Sequence, residues 1–170
     1  MANVDDLISA LSAISPMPDD EDEDALTESV LDDYHKIVSK LGELKDPKSI
    51  VPLIDSFGYG DGFGVYWTTL HTLEKFGYEL LNPLLIDAIR KGEKGSRMWA
   101  AYMLGVSRCR EAIDDLISLL KDDNELVRAK SALALGMIGD RWAIPYLEAI
   151  GNDVSEAVRS RVEQAIDDMG

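Results

Sequence analysis

Asn124–Ile150, NELVRAKSALALGMIGDRWAIPYLEAI, holds two amphipathic helical patterns joined at a Gly-Asp corner. Val127, Ser131, Ala132, Leu135 and Ile138 share one face of a helix with about 3.6 residues per turn. Asn124 stands at the N-cap position, where its side chain can accept backbone N–H groups that the first turn leaves unpaired. Gly139 closes the pattern, as a left-handed residue at a helix C-terminus does. Asp140 offers a carboxylate to the next helix, whose apolar stripe is Ala143, Ile144, Leu147 and Ile150. Pro145 falls in the first turn, where its missing N–H costs nothing.

The same grammar returns at a step of 31 residues. Pro145 corresponds to Asp114, Pro83 and Pro52, and Leu147 to Leu116, Leu85 and Ile54. Leu135 corresponds to Leu104 and Leu73, Gly136 to Gly105, and Arg128 to Arg97 and Arg159. Such phase-locked helix pairs define a repeat architecture.

Val127-Arg128, Ala132 through Asp140 and Ala143 through Leu147 together resemble the HEAT-like repeats associated with phycobilin lyases. The resemblance spans about residues 25–170 and fades at Glu74-Lys75-Phe76-Gly77, where the corner motif is lost. It implies an all-α, right-handed α-solenoid of about four helix pairs, with first helices on the convex side and second helices lining the concave side. It implies no particular activity, because such stacks carry many functions.

Three segments are expected: an amphipathic helix in 1–14, an acidic linker at 15–24, and the repeat domain at 25–170. Val4, Leu7, Ile8, Leu11 and Ile14 fall on one face of the first, which suits a helix that caps the stack or binds in trans. SPMPDDEDED, with two prolines and six consecutive acids, reads as a solvated spacer. GYGDGFG (58–64) lacks the Lys-Ser/Thr and the spacing of a phosphate cradle. Its glycines and two aromatics suit the edge of a binding surface instead.

The net charge is −15, from 32 acids and 17 bases. Nucleic acid is therefore a poor partner, since phosphate binding needs clustered Lys and Arg, and base repair of the kind some related stacks perform is disfavoured. An acidic surface favours a basic protein partner. No run approaches the roughly 20 apolar residues of a membrane span. The one cysteine, Cys109, excludes an internal disulfide and suits a reducing compartment, and the acidic start does not read as a leader, so the cytoplasm is expected. His35 and His71 have no ligand-spaced neighbours, so no metal or cofactor is expected. Trp99, Tyr102 and Trp67 read as inter-repeat core; Trp99 is the one suspected of exposure, because it aligns with Lys130 and Arg161.

If second helices line the concave side, Glu111, Asp114, Asp115, Ser118 and Asp122 face the groove, followed by Trp142, Tyr146 and Ala149. Asp87, Leu84, Asp55 and Leu53 join them from earlier units. Asp87, Glu111, Asp114, Asp115, Ser118, Asp122, Trp142 and Tyr146 are the candidate partner-binding residues. The function expected is a non-catalytic module that grips a basic protein, for example as an immunity protein masking a cationic bacterial toxin. The resemblance to bilin lyases supplies the alternative: a chain that binds a linear tetrapyrrole or attaches it to another protein.

Overall fold

A computed structural model describes residues 3–20, 22 and 24–170; Met1, Ala2, Glu21 and Glu23, the last two inside the expected acidic linker, lie outside the described residues. Among the described residues the regular structure is helical throughout. In chain order the α-helices are α1 (Val4–Ser12), α2 (Glu28–Leu44), α3 (Ile50–Asp55), α4 (Tyr66–Glu74), α5 (Tyr78–Lys91), α6 (Lys94–Val106), α7 (Ile113–Leu119), α8 (Glu125–Ile138), α9 (Ile144–Ala149) and α10 (Glu156–Met169). Short 3₁₀ turns at Pro47–Ser49, Arg110–Ala112 and Arg141–Ala143 lead into α3, α7 and α9. The chain divides into two units, residues 1–84 and 85–170.

Capping residues set these boundaries. The Asn124 side chain accepts from Leu126 N–H and Val127 N–H, and Gly139 ends α8 in the left-handed region at φ 73°. The Thr27 hydroxyl accepts from Val30 N–H and opens α2 at Glu28. The second helices of the C-terminal unit are short because their first turn is 3₁₀. Asp140 caps one such turn through Trp142 N–H.

In the C-terminal unit α6, α8 and α10 open at Lys94, Glu125 and Glu156, a constant step of 31 residues. α8 lies between α6 and α10, α7 packs on α8, and α9 packs on α10. The first helices approach closely through small residues. A Cβ at Gly136 would come within 2.8 Å of both Cα and Cβ of Ala165, and one at Gly105 within 2.7 Å of Ala134 Cα. Trp99 belongs to this core. It is buried, contrary to the exposure suspected from its alignment, with Tyr102 edge-on and the Lys130 amine 5.1 Å above its ring. Lys130 occupies the equivalent position one repeat on and sets its ammonium over the indole face.

In the N-terminal unit α1 packs on α2 and α3, burying Leu7 and Leu11. The stretch that follows is not a free spacer. Met17 is buried, its N–H donates to the Ser56 carbonyl, and Asp20 N–H donates to the Tyr59 carbonyl. The Asp20 carboxylate then accepts from the N–H groups of Asp61 (2.7 Å) and Gly62 (3.0 Å). One apolar residue among the prolines and acids is enough to dock the segment, which charge repulsion alone did not foretell.

Candidate protein-docking face

All eight residues singled out in the sequence fall in the C-terminal unit, and they separate into three sets. Asp87, Asp115 and Asp122 are engaged by cations of this chain. Lys91 pairs with Asp87 one helical turn away. Arg90 forks Asp115, with Nε–Oδ1 and Nη2–Oδ2 both at 2.8 Å. Arg97 forks Asp122 at 2.9 and 3.2 Å, and the Asp122 side chain is only 9% exposed. Asp122 is therefore structural, a carboxylate held between repeats. A guanidinium fork matches a carboxylate so well that each pair consumes both partners.

Glu111, Asp114 and Ser118 form the second set, all exposed. The Ser118 hydroxyl is turned back to the Asp114 carbonyl at 3.0 Å. Glu111 accepts the Cys109 thiol at 3.4 Å. Its own backbone N–H holds its carboxyl below the usual range, so it stays ionised. Burial, together with Glu111, pushes the Cys109 thiol up, the reverse of what activates a nucleophilic cysteine.

Trp142 and Tyr146 are the third set. They are 62% and 40% exposed, with ring centroids 6.0 Å apart and planes inclined by 58°. Asp140 anchors the backbone at Trp142. Its carboxylate accepts Trp142 N–H at 3.0 Å and the Arg110 guanidinium, and it is held below the usual carboxylate range first by that N–H and then by Arg110. Since Arg110 precedes Glu111 and Asp140 lies two residues before Trp142, this ion pair ties the Glu111 turn to the Trp142 turn. The turns so tied carry the two rings, the exposed carboxylates of Glu111 and Asp114, and the exposed Arg141. Such a face offers apolar area and hydrogen-bond acceptors to a partner.

On the opposite helices a cleft of about 310 Å³ lies between α8 and α10, lined by Leu126, Ala129, Lys130, Ala157, Ser160 and Arg161. Among the described residues no three His, Cys, Asp or Glu side chains gather as metal ligands. No described helix is long and apolar enough to cross a membrane.

The family model for HEAT repeats matches residues 82–167. The chain belongs to the HEAT-repeat family, and its fold is an all-helical α-solenoid. Among curated proteins none matches the chain. Among solved structures it is similar to human deoxyhypusine hydroxylase in complex with glycerol, at 18% identity and a TM-score of 0.57, covering 98% of this chain and 73% of that one. This likeness corrects one expectation. A non-catalytic chain is expected from the sequence, yet a solved structure of similar fold is an enzyme, so that expectation does not stand on the fold. At 18% identity the likeness shows fold alone and transfers no activity.

Proposed function

We propose that the chain is a protein-docking module that takes a basic partner through the Trp142–Tyr146 pair and the neighbouring carboxylates of Glu111 and Asp114. The observation that supports this reading is the exposed pair of large aromatics. Trp and Tyr bring large apolar area with few rotors to freeze, and they head the residue types that dominate binding energy at interfaces. The charge of −15 steers a cationic protein toward the surface, while Glu111 and Asp114 accept its Lys or Arg at contact. A cationic toxin domain is one partner of that chemistry.

The test is capture by the tagged chain at low ionic strength, followed by affinity measurement on the purified partner. Trp142→Ala should weaken the complex by about 30-fold, the equivalent of about 2 kcal/mol. Glu111→Lys with Asp114→Lys should slow association most at low salt. A partner that is acidic, or that binds all three variants like the wild type, overturns the proposal.

A further inference from the structure

We infer that the N-terminal unit carries a second docking element: Phe63, displayed on the glycine turn at 58–64 to receive a basic segment of a partner protein. Phe63 has φ 51° and ψ 32°, inside the left-handed region, and is flanked by Gly62 at φ 61° and Gly64 at φ 89°. Among the described residues two other non-glycine residues have positive φ, Lys45 and Arg108, and each lies at the end of a helix, where such a conformation closes the last turn. Phe63 closes no helix. The left-handed conformation is disfavoured for a residue bearing a Cβ and is taken mainly by Gly, Asn and Asp. A buried ring would offset that cost, but Phe63 is 64% exposed. Neither backbone preference nor core packing accounts for a phenylalanine at this position.

The surroundings hold it there. The Asp61 carboxylate accepts Phe63 N–H at 2.9 Å, and the Asp20 carboxylate clasps the N–H groups of Asp61 and Gly62. Gly58 N–H donates to the Tyr66 hydroxyl at 2.9 Å. The turn is thus fixed on both sides while its aromatic tip points away from the core. Trp67, in the first turn of α4, adds a second partly exposed ring.

Charge decides the occupant. The N-terminal unit holds 17 acids against 5 bases, whereas residues 85–170 hold 15 against 12. None of those five bases falls within 15–24 or 57–70, the two segments that build and brace this turn. A ring flanked by the Asp20 and Asp61 carboxylates suits a Lys or Arg side chain, whose stem packs on the ring while its charge faces the acids. This element lies far along the chain from Trp142 and stands whether or not that pair binds anything.

The experiment uses the full chain and a fluorescein-labelled peptide of alternating arginine and leucine, read by fluorescence anisotropy, beside thermal melts. Phe63→Gly changes no charge and removes the backbone conflict. It should raise the melting temperature and weaken peptide binding at least tenfold, with Val154→Ala, a truncation at an exposed residue outside both docking elements, as the comparison that leaves this affinity unchanged. Phe63→Asn, which also tolerates positive φ, should behave in the same way. Equal affinity in Phe63→Gly would mean that the acids alone attract the peptide, and a lowered melting temperature would mean that Phe63 serves the fold; either result overturns the inference. Loss of binding in Trp142→Ala but not in Phe63→Gly would place the peptide on the other face and overturn it equally.

Discussion

Arg128 forks Asp153 across 25 residues, with Nε–Oδ2 at 2.8 Å and Nη2–Oδ1 at 2.9 Å, as Arg97 forks Asp122 one repeat earlier. Arg128 also donates Nη1 to the carbonyls of Asp122 and Asp123, so a single guanidinium ties its own helix to the turn before it and the turn after the next helix. Exposed ion pairs of this kind contribute only about 0–1 kcal/mol. The side chains are in fact only 13% and 11% exposed, which removes most of the solvent screening that weakens surface pairs. Arg128→Lys keeps the charge but cannot fork, and should cost about 2 kcal/mol in denaturant unfolding. In a double-mutant cycle with Asp153→Asn the two losses should not add.

Acid should act on the two units with opposite sign. Arg128 holds the Asp153 carboxyl below its ordinary range. A folded-state pKa lower than the unfolded one gives stability that is complete above about pH 4 and lost as pH falls through the folded value. Burial raises Asp20, so its contribution is complete below about pH 4 and declines as pH rises through its folded value. The stability gap between wild type and Asp153→Asn should therefore grow from about pH 2 to a plateau near pH 5. The gap between wild type and Asp20→Asn should change in the opposite direction over the same titration.

Gly136 and Ala165 meet too closely for another carbon. Alanine favours a helix over glycine by about 1 kcal/mol, yet a Cβ 2.8 Å from the Ala165 backbone must push α8 and α10 apart. Overpacking of this kind costs about 1–3 kcal/mol. Gly136→Ala should lower the melting temperature by about 2–4 °C despite its better propensity.

Tyr34 is fully buried and its hydroxyl bridges Ser56 Oγ at 2.9 Å and Thr69 Oγ1 at 2.7 Å, linking α2 to α4 and to the turn that follows α3. Burial raises its pKa to about 12, so it stays neutral throughout the physiological range. Tyr34→Phe should destabilise by about 1–2 kcal/mol, since Ser56 keeps its bond to the Leu53 carbonyl while Thr69 loses a partner. Equilibrium unfolding in urea measures this directly.

The repeat was legible because its signals are local: Asn124 caps, Gly139 turns left-handed, Asp140 starts the next turn, and the step of 31 carries Arg97 to Arg128. The exposure of Trp142 and Tyr146 was legible for the same reason, since both fall off the apolar stripe Ala143, Ile144, Leu147 and Ile150. What neighbouring repeats do to one another was not. Arg90 and Arg97 each reach a carboxylate 25 residues on, a relation fixed by how helix pairs stack rather than by any one helix. That is why Asp115 and Asp122 were read as partner-binding residues. Trp99 was misplaced for a related reason, because the side chain that covers it belongs to the next first helix.

The most direct measurement is site-specific photo-crosslinking, with p-benzoylphenylalanine replacing Trp142 in one sample and Glu163, on the exposed face of α10, in another. The label at 142 should capture a basic protein in a discrete adduct, the label at 163 should not, and added Glu111→Lys and Asp114→Lys substitutions should abolish the adduct. Equal capture at both positions, or an adduct at 142 that survives the charge reversal, would contradict docking at this face.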